Sequence, residues 1–359
     1  MQVLNGFSHI EAWRARWRAL GALPRHERHL LRTWTQALPL SRPRRQADQF
    51  LPRALREDWP EAEQMLASLA TLQSAHPAED GGQRLLVRLA DGQTVESVLL
   101  PRGGLCVSTQ LGCAVGCVFC MTGQGGLLRQ LGSAEIVAQV ALARRLRAVN
   151  KVVFMGMGEP AHNLDAVMEA IELLGTAGAI AHKNLVFSTV GDARVFERLP
   201  QGPVKPALAL SLHSCDEARR AQLLPRAPRM PVDLLLAQAD AYARATGYPV
   251  QVQWTLLAGV NDGPDELEAL ALGLKGRHMM LNLIPMNAVD GVPWQRPAHE
   301  HAVAMTRELN RRGVLTRLRQ SAAQDVEGGC GQLRARQASG LQTVALPLPR
   351  KPVQASPAA

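Results

Sequence analysis

Seven short runs rich in aliphatic and β-branched residues recur along the second part of the chain. They are LCVSTQ from Leu105, KVVFMGMG from Lys151, KNLVFST from Lys183, KPALALSLH from Lys205, VQVQWTLL from Val250, HMMLNLIPM from His278 and VLTRLRQS from Val314. Stretches with helical spacing separate them, such as SAEIVAQVALARRLRAV, where Ser133 stands as N-cap before an amphipathic face. Repeated strand-then-helix units predict a parallel sheet, either doubly wound or a partial barrel, over residues 103–335. Just before it, QRLLVRLADGQTVESVLLP alternates around Asp91-Gly92 and predicts a β-hairpin within residues 81–102. Residues 1 to about 75, in an N-terminal module spanning 1–80, carry helical spacing. Trp13 and Trp17 lie four apart on one helical face and belong to a core rather than a base-stacking surface. The tail 336–359, rich in Pro, Ala, Gln and Ser, reads as disordered.

The 359 residues are 47% hydrophobic, enough for one core of α/β-barrel size and a smaller appended module. No apolar run reaches membrane-spanning length, and no secretory leader pattern opens the chain, so a soluble cytoplasmic protein is expected. A formal net charge of +9 suits a polyanionic partner such as RNA. Arg14, Arg16 and Arg18 form one basic cluster, and Arg42, Arg44 and Arg45 another. Only five of the forty basic residues are lysine, a bias that genome composition explains equally well.

Six cysteines in so long a chain do not make a disulfide scaffold, and four of them fall between 106 and 120. Cys113, Cys117 and Cys120 are spaced C-x-x-x-C-x-x-C. Thiolates at this spacing can meet one metal centre from a single loop. Structural zinc wants four ligands, usually as two separated pairs, whereas a 4Fe-4S cluster held by three cysteines keeps one iron open for a substrate. The remaining alternative is three structural thiols that happen to be near each other. Polar residues also close several apolar runs: Gly158 and Glu159 in GMGEP, Ser188, Ser211-Leu212-His213 and Asn287. One by one these are turn or cap residues. Together they line one rim, where α/β barrels build their sites, and are candidate cofactor contacts.

The cysteine triplet resembles that of the radical S-adenosylmethionine superfamily. With FMGMGEP, FSTVG, LALSLH, LLAGVND, LNLIPMN and the late GGCGQL, the chain resembles the RlmN/Cfr family of ribosomal RNA adenine methyltransferases over residues 91 to 333. The resemblance implies a partial (β/α)6-type radical S-adenosylmethionine barrel behind an N-terminal helical, basic, RNA-binding domain. It implies a 4Fe-4S cluster on Cys113, Cys117 and Cys120, and S-adenosylmethionine as the second cofactor. It further implies that Cys330 is first methylated, that a radical made at the S-methyl group attacks an adenine carbon, and that Cys106 releases the product by a transient disulfide with Cys330. Glu96, five residues before Pro101, matches the family's proton acceptor; the alternative is an exposed hairpin glutamate. The expected target is carbon 2 of an adenosine, ahead of carbon 8, in 23S ribosomal RNA, with transfer RNA a further candidate. A flavodoxin or ferredoxin would supply the electron, and the protein would act as a monomer. Asn287-Ala288 replaces the family's Asn-Pro, and the post-cluster loop MTGQGGLLRQL also departs from the usual wording, so a divergent member is expected. Two competing readings are another radical S-adenosylmethionine enzyme and an RNA-binding protein with a structural cluster.

Overall fold

The computed structural model describes residues 6–41, 46–289 and 291–334. Arg42, Arg44 and Arg45, and the tail 336–359, lie outside the described residues. Among the described residues ten strands make one sheet in the order β1 (Ala70–Pro77), β2 (Gln83–Leu89), β3 (Thr94–Leu100), β4 (Gly104–Cys106), β7 (Lys151–Phe154), β8 (Leu185–Thr189), β9 (Ala207–Ser211), β10 (Val250–Leu256), β11 (Met279–Pro285) and β12 (Thr316–Leu318). A separate ribbon pairs β5 (Gln110–Gly112) with β6 (Leu127–Gln130). From β4 to β12 every neighbouring pair of the large sheet is parallel. Each crossover carries a helix: 133–146, 164–175, 193–198, 232–246, 264–274 and 299–311. The two edges do not pair, so the expected partial barrel is present. Its parallel part runs to seven strands rather than six, the seventh being the three-residue β12.

All five residues of β8 are buried, as expected of a strand covered on both faces. On β10 burial alternates, with Val250, Val252, Trp254 and Leu256 turned inward. Trp254 has no exposed surface, and its indole N–H donates to the Asn261 carbonyl at 3.2 Å.

The predicted hairpin is β2–β3, turning at Gly92 with φ of +87°. It is joined to the barrel by β3–β4 pairing, which sets Val98 opposite Cys106. Two sequence expectations need correction. Helix was expected through residue 75, yet the helix Arg53–Ser68 stops and Ala70–Pro77 forms β1, antiparallel to β2. Pairing with the open edge of β2 and packing on helix 133–146 override the local helical pattern. Ser133 is the first helical residue, and the N-cap is Gly132. The Ser133 hydroxyl instead accepts from the Ile10 backbone N–H at 2.9 Å and donates to Glu169, tying the N-terminal helices to the barrel. Residues 133–141 of this helix are all buried, because it is sandwiched between helices 24–35, 53–68 and 164–175 and strand β1.

Trp13 and Trp17 are fully buried, tilted against each other with ring centres 6.0 Å apart, and the contacts continue to Phe7 and Trp59. They form the core of the N-terminal helices, as their spacing predicted. Among the described residues no helix is long and apolar enough to cross a membrane.

Trp254→Ala removes the largest side chain between β9 and β11 and should cost about 3–5 kcal/mol, the usual range for a buried aromatic. A lowered thermal unfolding midpoint would register it; an unchanged midpoint would contradict the packing described.

Candidate active site

The thiol and polar candidates gather at the C-terminal ends of the parallel strands. Cys106 ends β4, Gly158 and Glu159 follow β7, Ser188 lies on β8, and Ser211, Leu212 and His213 close β9. Asn287 follows β11, and Cys330 lies in the loop after β12. The cysteine loop projects from the β5–β6 ribbon, which lies between β4 and the helix 133–146 in the chain.

That loop, residues 113–120, has no regular structure and is held by its neighbours. The Cys113 N–H donates to the Gly126 carbonyl, the Val118 N–H to Leu223, and the Arg226 N–H to the Val115 carbonyl. The Arg226 guanidinium reaches the Ala114 carbonyl at 3.0 Å. Beneath lies a separate apolar nest of Val115, Phe119, Val190, Leu223, Leu257 and Met286. The nest keeps water from one side of the thiols.

The electrostatics are those of crowded anions. Burial pushes the Cys113 thiol up to about 12, and Glu159 and Cys120 add repulsion. Cys117 is raised well above its ordinary value, first by burial and then by Cys120, Cys113 and Glu159. Burial also raises the Glu159 carboxyl to about 7, although it accepts N–H bonds from Ala161 and Val190 at 3.1 Å each. Each group makes its neighbours' negative charge more costly, so the set calls for a positively charged guest. Among the described residues no three His, Cys, Asp or Glu groups converge on a single-ion position. Three thiols of one loop can each meet a separate corner of a four-iron cube, which leaves the fourth iron open.

Gly158 shows how closely this rim is built. Its φ is +107°, and a Cβ there would stand 2.6 Å from the Gln110 side chain, whose amide oxygen accepts the Glu159 N–H at 2.7 Å. His213 is also in the left-handed region, at φ +64°. Its Nδ1 accepts the Thr255 N–H at 2.9 Å, which leaves the ring proton on Nε2, and its ring meets Phe119 edge-on at 4.9 Å. Burial, with Arg220 nearby, lowers His213 to about 3.

Cys106 and Cys330, distant in sequence, are near enough that the charge on one raises the other. Both are free thiols. Cys106 is buried and pushed up to about 12. Cys330 is solvent-accessible, yet the protein around it crowds the thiol and raises it; a hydrogen bond from Ser321 opposes that rise. The Asn287 amide donates to the Cys330 carbonyl at 2.8 Å and to Ser321 Oγ at 3.0 Å. Gly331, at φ +83°, lets the loop pass against Phe119, where a Cβ would meet the backbone oxygen at 2.9 Å. The Gly331 carbonyl accepts from Met121 N–H at 2.7 Å, and the Leu333 carbonyl from the Thr122 hydroxyl at 2.6 Å. The Cys330 loop is thus bonded to the turn just after Cys120.

Glu96 is not the exposed hairpin residue its alternation allowed. It has no accessible surface; Arg84 donates to its Oε1 at 2.6 Å, and the Arg334 N–H to its Oε2 at 2.9 Å. Cys215 is half-buried in the connection after β9, as expected of a structural thiol, and burial raises it.

Three residues escaped the sequence reading. Asn261 is fully buried, donates to the His213 and Thr255 carbonyls and accepts from Leu257 N–H, knitting the ends of β9 and β10. Arg220 is 5% exposed and donates to the Val190 carbonyl, while its Nε has no partner among the described residues. It lies close enough to Cys117 for the two charges to interact. An arginine beside Leu223 and Leu224 on a short helix was the available signal. Ser321, which closes the last apolar run, carried none.

Residues 107–271 match the sequence model of the Radical SAM superfamily. A probable RNA methyltransferase of Methylibium petroleiphilum is 70% identical over 335 residues, covering 93% of this chain and 95% of its own. One from Pseudomonas aeruginosa is 61% identical over 323 residues, covering 89% and 93%. The chain belongs to this radical S-adenosylmethionine family. A radical S-adenosylmethionine methyltransferase from Sphaerobacter thermophilus, known from its crystal structure, superposes with a TM-score of 0.79 at 32% identity, over 91% of this chain and 98% of that one. Membership implies a 4Fe-4S cluster and S-adenosylmethionine as cofactors.

The lowered His213 has a stability consequence. A base depressed on folding contributes fully above its unfolded value near 6.5, and the contribution is lost as pH falls toward about 3. His213→Asn, tolerated in the left-handed region, should therefore flatten the acid side of the cofactor-free protein's melting profile between those values. An unaltered profile would remove His213 from the account.

Proposed function

We propose that the protein methylates a ring carbon of adenosine in RNA, carbon 2 ahead of carbon 8, by way of an S-methyl group on Cys330. The substrate class is 23S ribosomal RNA, with transfer RNA a further candidate. The observation that carries the reading is the bonding of the Cys330 loop directly onto the cysteine-triplet loop, through Gly331 with Met121 and Leu333 with Thr122. A thiol unrelated to cluster chemistry would have no reason to be held there. The RNA methyltransferase names of relatives above 60% identity support RNA as the substrate; the choice of ribosomal RNA rests on the motif resemblance.

In this reading Cys113, Cys117 and Cys120 hold the cluster. Gly158, Glu159, Ser188, Ser211, Leu212, His213 and Asn287 line the S-adenosylmethionine site. Together the bound groups supply a methyl donor and one-electron chemistry, fed by a flavodoxin- or ferredoxin-class reductant. Cys330 takes its methyl group as a thiolate. The Ser321 hydroxyl, itself accepting from Asn287, favours that charge. Cys106, at the end of β4, would attack the Cys330 sulfur: the Cys106–Cys330 disulfide forms as the sulfur–carbon bond to the product breaks, and the released carbon takes a proton to complete the methyl group. The adenine must leave its stack for chemistry at a ring carbon.

The N-terminal helices offer a surface for the RNA backbone, narrower than the arginine count suggests. Arg16 pairs with Asp58 and Glu61, and Arg18 with Glu11 and Glu27. Arg14, Arg28 and Arg32 instead line a groove of about 650 Å³ between helices 24–35 and 164–175. Arg28 and Arg32 are exposed one turn apart.

Nucleoside mass spectrometry of RNA from cells carrying Cys330→Ala, beside wild type and a deletion, tests the reaction. One methyladenosine should vanish in both altered strains, and its chromatographic identity separates carbon 2 from carbon 8. A profile unchanged in the deletion would sink the RNA reading; one lost in the deletion but kept by Cys330→Ala would sink the S-methyl route.

Replacing Arg14, Arg28 and Arg32 with glutamine should weaken RNA binding uniformly across sequences. It should also shallow the log–log salt dependence by up to about three, roughly one for each phosphate that an arginine no longer neutralises. An unchanged slope in a binding titration would place the RNA elsewhere.

A further inference from the structure

Arg84 and Glu96 form an ion pair inside the protein, their side chains 7% and 0% exposed. Two buried charges are tolerated when each satisfies the other and their remaining hydrogen-bonding capacity is used. Here each partner gives one further bond to a single loop. Arg84 Nε donates to the Val326 carbonyl, and Glu96 Oε2 accepts the Arg334 N–H at 2.9 Å. Val326 and Arg334 flank Cys330 symmetrically in the chain, one before it and one after. The turn between β1 and β2 adds two bonds to the same segment. Asp80 Oδ2 accepts the Ala323 N–H, and the Glu79 N–H donates to Asp325 Oδ2, each at 3.0 Å.

We propose that the Arg84–Glu96 pair is a latch that fixes the loop carrying Cys330, with Glu96 acting on the reaction as a positioning residue through that loop. Each of its carboxylate oxygens carries one of these bonds, and no part of it faces solvent. The latch also accounts for the antiparallel extension: β2 carries Arg84, β3 carries Glu96, and both join the same sheet as Cys106, so the two reactive thiols are referred to one rigid frame. The functional consequence rests on the role proposed above for Cys330; the latch itself does not.

The test uses the full-length protein and two readouts: hydrogen–deuterium exchange of peptides spanning 323–334, and methyladenosine formed in RNA. Glu96→Ala should speed exchange in that segment by about tenfold or more while leaving peptides of β10 unchanged, since only the latched unit is released. RNA methylation should fall with it. Glu96→Gln keeps an oxygen for the Arg334 N–H and for Arg84, and should retain both loop protection and most of the methylation. The double change Arg84→Met with Glu96→Met leaves no unpaired buried charge and guards against simple misfolding; it should free the loop as Glu96→Ala does. Normal loop exchange in Glu96→Ala and in the double variant would overturn the latch. So would a Glu96→Gln protein with a protected loop and no methylation, the signature of a proton acceptor. A wild-type protein that methylates no RNA would defeat the functional reading, while the exchange data would still judge the latch.

Discussion

The rest of the site depends on keeping the irregular loop 113–120 still while it carries three thiols whose charges repel. A helix or strand would supply its own hydrogen bonds; this loop borrows them from Gly126, Leu223, Arg226 and, just beyond Cys120, Gly331. Two of those anchors belong to the connection after β9, and another to the last described segment of the chain. The cysteine loop therefore reads the whole barrel rim, and a shift in any of these connections would move a thiol. Its apolar nest strengthens the constraint, because poorly hydrated thiolates are stable only opposite a positive group.

The same constraint accounts for the neutral and positive groups nearby. His213 is held uncharged with its proton on Nε2, and Arg220 is buried near Cys117, its Nε without a partner among the described residues. A buried guanidinium is costly on its own. The negative charges of Cys117 and Glu217 offset part of that cost. The rim thus balances charge across β7, β9 and the cysteine loop, and no single residue does so alone.

How much of this was legible in the sequence follows from the range of each interaction. The seven apolar runs became the seven parallel strands because alternation and β-branching act within a few residues. The spacing of Cys113, Cys117 and Cys120 was legible for the same reason, as was the shared face of Trp13 and Trp17. Ala70–Pro77 was misread because its partner strand, not its own pattern, makes it extended. Asn261, Arg220 and Ser321 act on residues reached only through the fold, and nothing in their immediate neighbours announces the contact. Glu96 is the sharpest case. Alternation placed it on a hairpin face that would ordinarily be wet, and the C-terminal segment covers that face.

Charge shows the same limit from the other side. The N-terminal arginine cluster reads as one basic surface, yet folding divides it by partner. Asp58 and Glu61 come from helix 53–68 to neutralise Arg16, and Glu11 and Glu27 do so for Arg18. Arg16 with Asp58 and Glu61, and Arg18 with Glu27, bind the N-terminal helices to one another around the tryptophan core. Arg14, Arg28 and Arg32 face the groove, beside Glu27 and Glu172, against helix 164–175, which itself packs on helix 133–146. A polyanion bound there would lie on elements in direct packing contact with the barrel. The net positive charge therefore has two structural meanings in this chain. Part of it holds the accessory helices together, and part stays on the groove-facing surface.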